Sequence, residues 1–237
     1  MTAKPLRSAP ITKSILGPCL SRIGPITGLL MSDATDLDDI PIEIAVRPTP
    51  RACDIGMRKK ALILTSKLVQ DHEFIYPFYR LKEEGFNVYT CNGDSKQVLG
   101  FFGTKIPPKE EDKIVQLTEI DNKDYSILIL PGGVKSMEIM RLNKELLNLI
   151  KKFHENKTII AATCSAAMLL ISSGLTKGKT ITGYYAWKDD IINSGAKFID
   201  EPCVVDGNIV TSPHYKYVGE WMKGAIELLK KNYKVLK

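Results

Sequence analysis

The chain reads as one α/β domain in which a mainly parallel sheet lies between two helical layers, preceded by a segment of different character. Three observations predict this three-layer sandwich. The runs "ALILTS" (61–66), "YSILIL" within 125–133 and "TIIAAT" (158–163) are apolar at every position or nearly so. Strands buried on both faces read this way, whereas half-exposed strands alternate. Helical patterns separate these runs, as crossovers between parallel strands require. Gly85, Gly132-Gly133 and Gly174 punctuate the series where a strand or helix must stop.

Taken in order, "ALILTS" predicts the first strand, and a helix follows through "EFIYPFYRLKEEG" to Gly85. "FNVYTCN" (86–92) predicts a second strand. The stretch 93–120 is polar and broken by Pro107 and Pro108, which fits a hairpin or irregular excursion better than a helix. After the strand and turn of 125–133, one helix is predicted through "MRLNKELLNLIKKFHEN". The strand 158–163 leads into a helix from Ser165 to Ser173, and "AWKDDIINSG" predicts another. "CVVDG" and "NIVTS" are strands joined by a turn at Asp206-Gly207. Ser212 as N-cap and Pro213 at the first helical position predict the start of the last helix.

Residues 1–56 differ. They contain 7 of the 13 prolines and equal numbers of basic and acidic residues, six of each, so the whole +6 of the chain resides in 57–237. No strand or helix period is sustained there, and the segment is expected to be disordered or outside the domain. Met1 to Ser32 has no acidic residue, with Lys4, Arg7, Lys13 and Arg22 set among Ser and Thr, a composition shared with organelle transit segments. Met57, followed by Arg58, Lys59 and Lys60, reads alternatively as a start site. The domain is therefore assigned to 57–237, in the cytoplasm, or in an organelle if the transit reading holds.

With 44% hydrophobic and 25% charged residues the composition is that of an ordinary globular protein. No apolar run approaches the length of about 20 residues that spans a bilayer. The basic residues are scattered along helices and not interleaved with aromatics, so neither a nucleic acid nor a membrane is expected as partner. The five cysteines are odd in number and form no CxxC pair, and only three histidines are present. That excludes a zinc-type spacing and fits a reducing compartment, where a lone thiol is either core or reactive.

Cys164 stands out because it interrupts "IIAATCSAAMLLISSG" (159–174) where a strand ends and a helix begins. Strand-to-helix turns at the carboxyl edge of an open α/β sheet are where ligands bind. Small neighbours (Ala162, Thr163, Ser165, Ala166) suit a sharp turn that exposes a nucleophile. The helix end beyond it is expected to lower the thiol pKa. The Ser165 amide offers one oxyanion donor, and Gly133 of "PGG" a second. A buried structural cysteine would show the same spacing.

The motifs "KALILTS", "HEFIYPFYRLKEEGFNVY", "LILPGG", "RLNKELL", "AATCSAAMLLISSGLTKGKTITGY" and "KDDIINSGAKFID" occur in this order. This series resembles the ThiJ/PfpI superfamily, most closely its PfpI-like branch, over most of 57–237. The resemblance implies a flavodoxin-like, class I glutamine amidotransferase-like fold and Cys164 as a reactive nucleophile. It further implies Glu73 as the carboxyl beside the thiol, and Gly132 and Gly133 as the loop that opens towards it. The loop holding His214 is the one that approaches the nucleophile, which makes His214 a candidate base. Tyr184 falls where the PfpI branch has a tyrosine that lines the pocket.

One departure bears on activity. PfpI-like peptidases place a histidine directly after the cysteine and orient it with a carboxylate from a neighbouring subunit. Here Ser165 follows Cys164, and the counterpart of that carboxylate is Glu138. Amide hydrolysis needs a base that then protonates the leaving amine, so a peptidase is the weaker expectation. His72 and His154 are read as surface residues, Cys91, Cys203, Trp187 and Trp221 as packing residues.

Two functions stay open. In one, Cys164 adds to a small reactive carbonyl in a glyoxalase III- or deglycase-like reaction, with Glu73 moving protons; hydration of a small unsaturated nitrogen compound is a variant. In the other, Cys164 is a redox sensor of a stress protein, cycling through sulfenic and sulfinic states. No cofactor or metal is implied. The resemblance implies a homodimer or larger homo-oligomer, with Phe74, Ile75, Tyr76, Phe78 and Tyr79 serving either as its interface or as core on two helix faces.

Overall fold

The computed structural model describes residues 60–94 and 96–235, so the readings made for 1–56 lie outside the described residues. The elements run β1 (Lys60–Leu64), α1 (Asp71–Glu83), β2 (Asn87–Cys91), β3 (Val98–Leu99), β4 (Lys105–Ile106), β5 (Tyr125–Leu130), α2 (Val134–Arg141), α3 (Lys144–Glu155), β6 (Ile159–Thr163), α4 (Ala167–Ser172), β7 (Thr180–Ile181), α5 (Lys188–Asn193), β8 (Lys197–Phe198), β9 (Val204–Asp206), β10 (Ile209–Ser212) and α6 (Val218–Val235).

The central sheet has the order β2-β1-β5-β6-β10-β9. Every pairing in it is parallel except that of β9 with β10, so the predicted mainly parallel, flavodoxin-like sandwich is the observed one. The apolar runs are explained by their two faces. Ile63, Ile129 and Ala161 pack with Phe74 and Phe78 of α1 and Trp221 of α6. Leu64, Leu130 and Ala162 pack with Met137, Phe153 and Leu169 on the opposite layer. Successive residues of one strand thus enter different cores. Each fully buried large side chain contributes roughly 1.5–3 kcal/mol relative to exposure.

Three local readings are corrected. The helix predicted after β5 is two helices, α2 and α3, because Asn143 caps a new start by accepting from the Leu146 N–H at 3.0 Å. The last helix begins at Val218, not Pro213: Ser212 ends β10 and is not an N-cap. His214 is the capping residue, of a 3-10 turn at Tyr215–Tyr217, with its Nδ1 accepting from the Lys216 N–H. His154 is half-buried beside Asn208, which donates to its carbonyl, and is not a free surface group.

Within 93–120 the chain forms the β3/β4 hairpin. Asp71, at the start of α1, accepts from the amides of Phe102 and Thr104 at 2.8 and 3.0 Å and ties the hairpin tip to the domain. Trp221 is fully buried, and Trp187 packs against the core. Among the described residues, no helix is long and apolar enough to cross a membrane.

Candidate active site

The strand order reverses direction beside β1 and β5, and the crevice at their carboxyl ends receives the loops after β1, β5 and β6. Cys164 enters from the loop after β6. Its φ is +57°, a left-handed conformation that a residue with a β-carbon holds only when its surroundings enforce it. The enforcing contacts are close. The Cys164 carbonyl accepts from the Tyr184 amide at 3.2 Å, and a β-carbon at Gly132 would lie 2.9 Å from the Cys164 Cβ and 3.0 Å from the Ser165 nitrogen. Only glycine at 132 lets the loop after β5 approach this closely. The small neighbours Ala162, Thr163, Ser165 and Ala166 are all buried.

Glu73 enters from the first turn of α1 and is fully buried. Its Oε2 accepts from the Gly132 amide at 2.7 Å. Its Oε1 is buried without a hydrogen-bond partner, and the carboxyl and the Cys164 thiol each shift the other's titration. Burial pushes the Glu73 carboxyl up to about 7, against the opposing pull of the Gly132 amide and the thiol. Burial, followed by the charge on Glu73, pushes the Cys164 thiol up to about 12. Two buried acids side by side cannot both ionise cheaply, so the pair loses one proton near 7, from the carboxyl, and the thiol keeps the other well above neutrality.

This overturns the expectation of a thiol more acidic than free cysteine. The helix beyond Cys164 is only six residues long and begins after a 3-10 turn, so its dipole is outweighed by desolvation and by Glu73.

Ser165 is 1% exposed and occupies the space between the two loops. Its Oγ accepts from the Gly133 amide at 3.1 Å and lies 3.8 Å from the Cys164 sulfur, positioned to donate to it. The amides of "PGG" are thus engaged, Gly132 by Glu73 and Gly133 by Ser165, and Gly133 is not a free oxyanion donor. The Ser165 amide points to the Cys164 sulfur and stabilises its charged form.

His214 lies on the same edge, with one ring nitrogen engaged by the backbone. Nδ1 is taken by the Lys216 amide at 3.3 Å, which assigns the imidazole proton to Nε2. Partial burial, then Lys216, lowers its pKa, and its rings of contact are Tyr215 at 4.0 Å and Tyr184 at 6.0 Å. Tyr184 donates its phenol to Tyr185 at 3.0 Å. Glu138 is exposed and paired with Lys135, with no imidazole to orient.

The sequence reading missed a row of rings beside this edge. It runs Tyr185, Tyr184, His214, Tyr215, His72 and Phe102, with neighbouring centroids between 4.0 and 6.0 Å apart. His72 is thus a surface residue, as read, but stacked on Tyr215. The exposed pair in "LGFFGT" was the available signal, since two phenylalanines in a polar excursion have no core to enter. Among the described residues, no group of three or more His, Cys, Asp and Glu side chains is gathered to hold a metal ion.

Comparison with known proteins identifies the family. "Deglycase TK1284" of Thermococcus kodakarensis is 36% identical over 171 residues, covering 72% of this chain and 99% of that protein. "Putative cysteine protease YraA" of Bacillus subtilis is 33% identical over 175 residues, covering 73% of this chain and all of that protein (100%). Drosophila melanogaster DJ-1beta superposes with a TM-score of 0.66 at 25% identity, covering 75% of this chain and 94% of that one. The model of the DJ-1/PfpI family matches residues 59–228. With its ThiJ/PfpI motifs and its cysteine at the strand-to-helix turn, this chain belongs to the DJ-1/PfpI family.

Proposed function

We propose that the protein is a cysteine-dependent enzyme acting on small reactive carbonyls, with Cys164 as nucleophile and Glu73 as proton carrier. The observation that carries this reading is the fully buried Glu73, held by the Gly132 amide beside the Cys164 thiol, with its carboxyl raised to about 7. Relatives named deglycases at 36% identity support the same class. For an α-oxoaldehyde, the Glu73 carboxylate takes the thiol proton, sulfur attacks the aldehyde carbon, the C–S bond forms as the C=O π bond opens, and that proton passes to the new oxygen. Glu73 then takes the proton from that carbon and returns one to the neighbouring carbon, while the hydroxyl proton passes from the first oxygen to the second, giving a 2-hydroxyacyl thioester. Water cleaves the thioester, releasing the hydroxy acid and restoring the thiol. Only one group able to take and give a proton is needed, which a carboxyl poised near neutrality supplies.

Amide hydrolysis fits less well. The leaving amine must be protonated as the C–N bond breaks, and Ser165 places a hydroxyl where the PfpI-like peptidases have imidazole. A second reading, a thiol redox sensor, is favoured by one observation: the protonated Glu73 can donate to an oxygen added at sulfur. Tyr76 and Tyr79, exposed on α1 while Phe74 and Phe78 are buried, support self-association through that face, to be measured by light scattering.

The test is hydroxy-acid formation from methylglyoxal by the full chain beside Cys164→Ala and Glu73→Gln. Turnover that vanishes in the first and falls at least roughly a hundredfold in the second agrees with general acid–base magnitudes. Equal, background rates in all three would remove the carbonyl reading, and selective oxidation of Cys164 by mild peroxide would then favour the sensor.

A further inference from the structure

We propose that Ser165 is a positioning residue for Cys164: held by the Gly133 amide, its hydroxyl directs its one proton at the sulfur and stabilises the thiolate. A serine hydroxyl has one proton and two lone pairs. Here a lone pair is occupied by the Gly133 N–H at 3.1 Å, and the sulfur stands 3.8 Å away on the donor side. At 1% exposure, bulk water does not compete for the hydroxyl.

The amide that fixes the hydroxyl is itself immobile. Gly133 has φ +106°, and a β-carbon there would lie 2.7 Å from the Gln70 nitrogen and 2.9 Å from the Leu68 carbonyl. The loop after β5 is therefore wedged against the segment entering α1, and its amide cannot turn away. When sulfur becomes anionic, a donor already aimed at it shortens and strengthens its bond without rearrangement.

The remaining groups around the thiol do different work. Glu73 faces it from α1, and its charge helps hold the thiol protonated. Tyr184 faces it from the segment after β7, with His214 and Tyr215 stacked beyond from the segment after β10. From α2, Lys135 and Glu138 pair with each other at the surface. Ser165 has no ionisable proton in this range, so it tunes the anion without serving as base. A hydroxyl at this position and an imidazole there are thus different devices.

The inference rests on Cys164 being the reactive group of the function proposed above, but its test needs no substrate. Alkylation of Cys164 by iodoacetamide is followed by peptide mass spectrometry from about pH 5 to about pH 9, since thiolate fraction sets the rate. Losing one hydrogen bond to an anion corresponds to about a tenfold lower rate near neutrality, so Ser165→Ala is expected to be about tenfold slower. Ser165→Thr is expected to stay within about twofold of the native rate. Ser165→Val, matching Thr in shape without the hydroxyl, is expected to follow Ala and serves alone if Ala fails to fold. Native rates in Ala or Val, or a Thr variant as slow as Val, would overturn the proposal. Loss of methylglyoxal turnover with the Ser165 effect intact would instead refute the carbonyl reading alone.

Discussion

Glu73→Gln should make the protein more stable near pH 8 while leaving it nearly unchanged near pH 4. A carboxyl whose ordinary value is 4.5 is raised to about 7 by burial in the native state. Between those values the folded chain binds more protons than the unfolded chain, so native stability falls as pH rises through that window. The full loss corresponds to about 3 kcal/mol. Glu73 is fully buried, so solvent screening does not reduce it. Glutamine keeps an oxygen for the Gly132 amide and has no proton to lose. For a domain of this size the difference amounts to roughly 6–12 °C in melting temperature. Thermal unfolding of both proteins at about pH 4 and about pH 8 measures it; the second value stays below the range where the Cys164 thiol ionises. A melting difference that is the same at both values would show that Glu73 is not raised by burial, and the account of a carboxyl poised near neutrality would fail.

Other consequences follow from the same geometry. Alkylation of Cys164 should stay slow at neutral pH and rise towards about 12, and Glu73→Gln should move the profile downward because the charge that helps hold the thiol up is gone; an unchanged profile would contradict this. In Gly132→Ala the new β-carbon meets Glu73 Oε2 at 2.6 Å, so stability should drop by about 1–3 kcal/mol and Cys164 reactivity should fall with it. His214→Ala should change carbonyl turnover by less than about tenfold, since its Nδ1 serves the backbone; a hundredfold loss would restore it as a general base. Asp71→Ala removes the acceptor of two amides and should cost about 2–3 kcal/mol, with faster proteolysis at Phe101-Phe102 and native alkylation of Cys164.

The parts of the fold that were legible in the sequence are those fixed by burial. Runs such as Ile127–Leu130 are apolar at every position because alternate residues enter different cores, and that pattern needs no partner to be read. Cys164 was legible because it interrupts an apolar run among small, buried neighbours where a strand gives way to a helix. Glu73 was not, since a glutamate in the first turn of a helix is ordinary; only the family resemblance singled it out. The serine hydroxyl was invisible for another reason. Its role depends on the Gly133 amide arriving from 32 residues away, and no spacing encodes an angle. The thiol's acidity was misjudged because a helix dipole is local and readable, whereas desolvation is a property of the assembled crevice. The break between α2 and α3 was available in Asn143, a good N-cap inside an apolar pattern that seemed continuous.

The measurement closest to the central claim is the rate of hydroxy-acid formation from methylglyoxal by the full chain, compared across native protein, Cys164→Ala and Glu73→Gln between about pH 5 and about pH 9. The account predicts turnover that rises through a midpoint near 7, disappears without the thiol, and falls at least roughly a hundredfold without the carboxyl. Turnover that survives in Cys164→Ala, or a profile indifferent to Glu73, would contradict it.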